Sequence, residues 1–391
     1  MSKLGSICRF QSGGTPSKGK AEYFSGEIPW ITTVALNGSR IDENDAVDWI
    51  TERAIQETAA KIVPAYSIMV GTRVGVGKVA INTVDMSTSQ DVIALLDIDE
   101  AKWDKDYICK FIQSKSAFLV SQARGATIKG IKIDILASLE IPDLPLTEQK
   151  HISEVIDVAT DLIRARQTEL SAFDDLIKAR FVEMFGDPEL NPMEWPVEAL
   201  GDVLSVEPQN GLYKPQSDYV RDGTGIPILR IDAFYDGKVT DFSGLKRLNC
   251  TDAERSRYLL MENDVVINRV NSLEYLGKCA WITGLIEPTV FESNMMRFHV
   301  DESRIDPCYM TRLLCSTFIY KQILNRAKKA VNQASINQRD VQSFKILVPP
   351  VGLQKQYTAF VAQVDKSKFA MQKALDEAQT LFESLMQKYF G

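Results

Sequence analysis

Histidine is nearly missing from this 391-residue chain: His151 and His299 are its only two, and they stand far apart. A site built on several imidazole ligands is thereby excluded, and a histidine-based nucleophile relay has almost no material. The six cysteines (Cys8, Cys109, Cys250, Cys279, Cys308 and Cys315) form no CxxC pair and no regular framework, so they read as reduced, mostly buried thiols. No apolar run approaches the ~18 residues of a membrane span. The opening Met1-Ser2-Lys3-Leu4-Gly5-Ser6-Ile7-Cys8 lacks the apolar stretch of a secretion signal. The expectation is a soluble cytoplasmic protein.

Nucleotide and metal signatures fail on their spacing. In Gly71-Thr72-Arg73-Val74-Gly75-Val76-Gly77-Lys78, a phosphate loop would need glycine where Thr72 stands and a hydroxyl residue where Val79 stands. A dinucleotide fingerprint starting at Gly75 meets Ala80 at its third position. Pro142-Asp143 with Glu148 and Lys150 resembles a metal-nuclease signature, but the spacing is too short for carboxylates on adjacent strands. No Asn/Asp-Pro-Pro-aromatic motif for base amination occurs, nor a methyl-donor glycine loop.

What is present is a duplication. At one ungapped offset of 205, Ile131 meets Ile336, Ser138 meets Ser343, Ile141 meets Ile346 and Pro145 meets Pro350. Gln149-Lys150 then meets Gln354-Lys355, and the register closes with Phe185-Gly186 on Phe390-Gly391. The acidic positions of the nuclease-like signature become Val348 and Leu353 in the second copy, which favours helix-entry chemistry there. Upstream the copies drift: Leu4-Gly5 recurs as Leu200-Gly201, Ile28-Pro29 as Ile226-Pro227 and Gly77-Lys78 as Gly277-Lys278. The proline-rich stretch 186–196 joins the copies and cannot continue a helix.

The shared register has helical periodicity. Ile152, Ile156, Ala159, Ile163, Leu170, Phe173, Ile177 and Met184 alternate steps of three and four, interrupted by Arg166 and Arg180. Tyr357, Val361, Val364, Met371, Leu375, Ala378, Phe382, Leu385 and Tyr389 repeat the stripe, broken by Lys368. Such a seam is the pattern of a coiled coil, and it predicts two long helices packed on each other. Ile156, Ile163, Leu170 and Ile177 are expected to face Val364, Met371, Leu375 and Phe382. Thr147 is the expected N-cap of the first helix, with Glu148 in its first turn. The globular parts read as mixed, with strands at 74–81, 92–96, 226–231, 265–267 and 345–348, and helices at 107–122 and 309–327.

Basic and planar polar residues gather in loops at matching places of both copies. Lysine and arginine neutralise phosphates, and asparagine and glutamine suit base edges. The candidates for phosphate contact are Lys18, Lys20, Arg73, Lys78 and Lys129 in the first copy, and Lys214, Arg269, Lys278, Lys328 and Lys329 in the second. The candidates for base reading are Ser89, Gln90, Asn271, Asn294, Asn332, Gln333 and Asn337.

This order of elements resembles the specificity subunit of type I restriction-modification systems. The matching elements are Ile28-Pro29-Trp30, the 142–149 stretch with its long helix ending at Phe185-Gly186, and the second copy ending at Phe390-Gly391. The loops 210–215, 268–272 and 332–338 look like those of a recurring type of target-recognition domain. The resemblance implies an α+β chain of two target-recognition domains (1–145 and 197–350), spacer helices at 146–186 and 351–391 paired as an antiparallel coiled coil, and a linker at 187–196. It also implies that the chain is non-catalytic and reads a split, asymmetric site on double-stranded DNA. Two modification subunits would supply S-adenosylmethionine chemistry, and two restriction subunits would supply ATP- and magnesium-dependent chemistry. Two other readings are a divergent nucleotide- or metal-dependent DNA enzyme and a coiled-coil scaffold without DNA specificity.

The formal charge of −7 looks adverse for a DNA reader. Residues 141–195, however, carry 5 basic and 12 acidic side chains, which accounts for the whole excess. The acidity belongs to one helix and its joint, a surface suited to protein partners, and the two globular parts are close to neutral.

Overall fold

The computed structural model describes residues 1–38, 40–125, 129–239, 241–331 and 333–391. It divides into two compact units, Met1–Glu169 with Met371–Gly391, and Leu170–Ala370.

In the first unit, a five-stranded sheet runs in the order Arg9–Ser12, Val92–Leu96, Ile68–Gly71, Val79–Asn82, Arg40–Ile41, antiparallel except at its last pairing. A four-stranded sheet follows the order Asp48–Ile50, Ile28–Ile31, Met86–Thr88, Ile62–Val63, with a parallel central pair. The central strands are continuous apolar runs because both of their faces are covered. Ile68, Val70, Val79, Ile81, Ile93 and Leu95 face Tyr107, Ile108, Phe111 and Ile112 of helix Lys105–Ser114. Met69, Ala80, Val92, Ala94 and Leu96, on the opposite pleat, pack with Ile31, Leu36, Ile41, Val63 and Met86.

The second unit repeats this wiring. Leu204–Asn210, Met295–Val300, Val265–Asn268, Cys279–Trp281 and Gly237–Val239 follow the same order, extended by Phe234–Tyr235. Tyr219–Val220, Arg247–Leu248, Ile226–Leu229 and Val290–Phe291 form its four-stranded sheet, again with a parallel pair between Ile226–Leu229 and Val290–Phe291. Short antiparallel pairs lead into both long helices: Ser2–Lys3 with Glu140–Ile141, and Val197–Ala199 with Lys345–Leu347.

The long helices, Leu146–Phe185 and Val351–Phe390, have 40 residues each, roughly 60 Å of rise. In the first unit the start of the first helix packs on the end of the second: Ile152 and Ile156 share a core with Phe382, Met386 and Phe390. In the second unit Ile177, Phe181 and Phe185 pack with Tyr357, Val361 and Val364. Both sets of contacts are antiparallel. The charged interruptions of the stripe are accommodated within it. Arg166 reaches the Met371 sulfur at 3.5 Å, Arg180 lies over the Phe360 ring, and Lys368 bonds Asp174.

Three local expectations need correction. Thr147 is not the N-cap: the helix begins at Leu146, and the Glu148 and Gln149 amides bond the Pro145 carbonyl at 2.9 and 3.0 Å. Proline is tolerated just ahead of the helix, where its missing N–H leaves no helical bond unmade. The predicted strand 74–81 is a tight hairpin followed by Val79–Asn82, because Gly75 and Gly77 adopt positive φ and turn the chain. The helices predicted at 107–122 and 309–327 are each two, broken at Lys115 and at 315–316.

Candidate nucleic-acid interface

In each unit four loops converge, and the same backbone hydrogen bonds hold them. In the first unit Gly13 N–H bonds the Val92 carbonyl and Gly14 N–H that of Thr88. Thr72 N–H bonds the Asp91 carbonyl at 2.8 Å, and Ile131 N–H bonds the Thr72 carbonyl at 2.8 Å. In the second unit Gly211 bonds Met295, Leu212 bonds Phe291, Arg269 bonds Asn294 and Ile336 bonds Arg269 through the corresponding groups. Loops 13–18, 71–78 and 88–91 and residues 129–131 therefore meet in the first copy, as 211–216, 268–278, 292–294, 328–331 and 333–337 do in the second.

Glycine opens the first loop in both copies because backbone faces backbone there. A Cβ on Gly13 would lie 2.3 Å from the Ser89 carbonyl oxygen, and one on Gly211 would lie 2.2 Å from the Glu292 carbonyl oxygen. The bonding pattern also resolves the sequence alignment. Thr72, not Arg73, occupies the position of Arg269, so Arg73-Val74 and Arg269-Val270 are out of register by one residue.

The candidate cations differ in how free they are. Lys18, Lys78, Lys129, Lys328 and Lys329 are exposed. Lys20 donates to the Tyr23 hydroxyl at 3.0 Å, a bond that raises its pKa. Arg73 pairs with Asp91 at 3.6 Å. Lys214 bridges Glu254 at 3.0 Å and Asp218 at 3.4 Å, and the Glu254 bond raises its pKa. Arg269 donates to the Ser293 carbonyl at 3.1 Å. Lys278 is half-buried, its ammonium 3.3 Å from the centre of the Tyr235 ring, and desolvation lowers its pKa.

The polar candidates also divide. Ser89 is buried and Gln90 exposed at one junction; Asn294 is half-buried at the other. Asn271 lies on a small sheet formed by Val270–Asn271, Ala334–Ser335 and Lys328–Lys329, and its side chain accepts from the Ser272 amide. Gln333 is exposed, its carbonyl accepting from Ala330 N–H at 2.7 Å. Asn337 caps helix Gln338–Gln342, its side chain accepting from the Arg339 and Asp340 amides. Asn332 lies outside the described residues. Along the seam, Ile156, Ile177, Val364 and Leu375 are buried, and Ile163, Leu170, Met371 and Phe382 are half-buried.

Two residues absent from the sequence candidates stand out. Tyr213 is 77% exposed beside Lys214, and Val331 is 99% exposed at the tip of the Lys328–Ser335 hairpin. An apolar or aromatic residue within two positions of a lysine was the available signal. Beneath this face Glu292 is buried, accepts from Ile231 N–H at 2.7 Å, and has its pKa raised by burial. Among the described residues, no group of three or more His, Cys, Asp or Glu could hold a metal ion, and no helix is long and apolar enough to cross a membrane.

Residues 1–172 and 192–378 match the type I restriction modification DNA specificity domain. The chain is 24% identical over 408 residues to the type I restriction enzyme MjaIX specificity subunit of Methanocaldococcus jannaschii, covering 99% of this chain and 91% of that one. A 201-residue stretch is 32% identical to the MjaX specificity subunit of the same organism; it covers 51% of this chain but only 46% of that relative. The crystal structure of a type I restriction-modification system S subunit from M. genitalium shares the fold, with a TM-score of 0.59 at 15% identity over 100% of this chain and 95% of the other.

Proposed function

The chain belongs to the type I restriction modification DNA specificity family, and from that premise we propose that it reads a bipartite, asymmetric site on double-stranded DNA for a type I restriction-modification complex. One observation carries this reading: the same four-loop convergence occurs in both copies, on different side chains. Shared wiring with divergent loops is what two readers of unlike half-sites require. The exposed lysines on these loops supply sequence-independent attraction to phosphate, and the polar groups beside them supply base-edge contacts.

The helix pair serves as the ruler between half-sites, so the bases between them are spanned and not read. The acidic first helix and its joint face protein subunits. Two modification subunits dock there and bring S-adenosylmethionine; two restriction subunits bring ATP and magnesium. This chain is the non-catalytic specificity subunit, and it works in the cytoplasm, without a membrane partner.

The test is co-expression of the chain with its modification subunit, followed by long-read mapping of modified adenines and binding to duplexes carrying the mapped site. One asymmetric, interrupted motif is expected, with binding that weakens when either half is scrambled. Absence of DNA binding by the complex overturns the reading in favour of a scaffold.

A further inference from the structure

The second unit holds two thiols that no part of the DNA reading uses. Cys279 opens the strand Cys279–Trp281 and is buried; Cys315 caps the C-terminus of helix Pro307–Leu314 and is exposed. Their sulfurs lie 3.5 Å apart. We propose that Cys279 and Cys315 are a redox-responsive pair that closes to a disulfide on exposure to a peroxide, stapling the 268–278 hairpin to the helical layer beneath it.

The chemistry of the pair is asymmetric. The sulfur–sulfur hydrogen bond pushes Cys279 well above its ordinary value and draws Cys315 below it; burial and Asp236 oppose the Cys315 thiolate, and Arg312 favours it. Burial pushes Cys8, Cys109 and Cys308 up to about 12 and raises Cys250, so these four are poor nucleophiles. Cys315 therefore attacks first. Its thiolate takes one oxygen as the O–O bond breaks, leaving a sulfenic acid and hydroxide, which takes up a proton to become water. The Cys279 thiol then attacks that sulfur, the S–O bond breaks, and a second water leaves with the Cys279 proton. Two thiols and one peroxide give one disulfide and two waters.

The place of the pair determines what closure does. Cys279 directly follows Lys278, whose carbonyl accepts from Asn268 N–H to close the hairpin. That hairpin also rests on helix Thr317–Arg326: the Tyr320 hydroxyl donates to the Leu273 carbonyl at 3.2 Å, and a Cβ on Gly277 would lie 2.1 Å from Ile323 Cδ1. Cys315 sits two residues before that helix. In the first copy, the Gly71-to-Lys78 bond matches the Asn268-to-Lys278 one and Asp104 caps the helix that matches the one Asp306 caps, which puts Val79 and Gln113 at the two positions, so the staple exists on one side of the duplication only.

Full-length protein is treated with graded hydrogen peroxide, quenched, and followed by differential alkylation, peptide mapping and amide hydrogen exchange. The intact mass should fall by about 2 Da, with a peptide joining Cys279 to Cys315. Exchange of the 268–278 amides should slow roughly tenfold. Cys315→Ser should abolish both changes, and so should Cys279→Val, which installs the first copy's residue in the buried position. Oxygen added at Cys315 with no cross-linked peptide overturns the proposal, as does a cross-link that leaves hairpin exchange unchanged.

Discussion

Gln149 and Gln354, 205 residues apart, make the same three hydrogen bonds. Each is fully buried. The Gln149 oxygen accepts from Asp104 N–H at 2.9 Å, and its amide donates to the Lys102 and Leu144 carbonyls at 3.0 and 2.8 Å. The Gln354 oxygen accepts from Asp306 N–H at 2.8 Å, and its amide donates to the Arg304 and Pro349 carbonyls at 3.1 and 2.7 Å. Ser153 and Thr358, four residues on, each donate to the carboxylate of the same aspartate. Each long helix is thereby latched at its first turn to the N-cap of a helix in the preceding domain.

Replacing either glutamine by leucine leaves one amide and two carbonyls buried without partners. Each variant should lose roughly 2 to 4 kcal/mol of stability, because an orphaned buried polar group bears its full desolvation cost. Urea unfolding followed by circular dichroism measures this. A loss below about 0.5 kcal/mol in both variants would mean that the latch is not the source of the shared register.

That latch bears on how much of the molecule was legible in the sequence. The duplication, both long helices and the heptad stripe could be read because repetition and periodicity are one-dimensional. The strand expected at 74–81 begins only at Val79, because Val74 and Val76 favour strand while Gly75 and Gly77 force the turn; composition named both tendencies, and sterics chose between them. Asp218, four residues on, was a visible partner for Lys214, but Glu254 and the Tyr235 ring over Lys278 were not, since they lie 40 and 43 residues away in the chain.

The difference between free and engaged lysines predicts different salt behaviour. Replacing Lys328 and Lys329 together by alanine should reduce the slope of log binding constant against log salt by about 2, near 0.9 per phosphate contact. Lys214→Ala should change the slope far less, because its ammonium is already held by two carboxylates. Binding titrations of the complex at several salt concentrations decide this. Equal slope changes in the two variants would contradict the assignment.

Glu292 predicts a pH effect. Burial raises its pKa, so the folded state binds that proton more tightly than the unfolded chain does. Stability from this group is present at low pH and is lost as pH rises through the raised value. Glu292→Gln keeps an acceptor for Ile231 N–H and removes the charge. The variant should match its parent near the ordinary glutamate value of about 4.3 and gain on it as pH rises. Unfolding midpoints measured across this range test the sign; a pH-independent difference would refute it.

The proposed ruler makes a geometric prediction. Inserting seven residues into each long helix preserves the stripe, because the seam repeats every seven residues. It lengthens each helix by about 10.5 Å, close to three base pairs at ~3.4 Å per step. The spacer in the methylated motif should lengthen by about three base pairs with both half-site sequences unchanged, because the loops that read them are untouched. A two-residue insertion turns the apolar stripe by about 200°, away from its partner, and should instead abolish methylation. Genome-wide mapping of modified adenines in cells carrying each variant reads both results. An unchanged spacer in the seven-residue variant would show that partner subunits, and not these helices, set the distance.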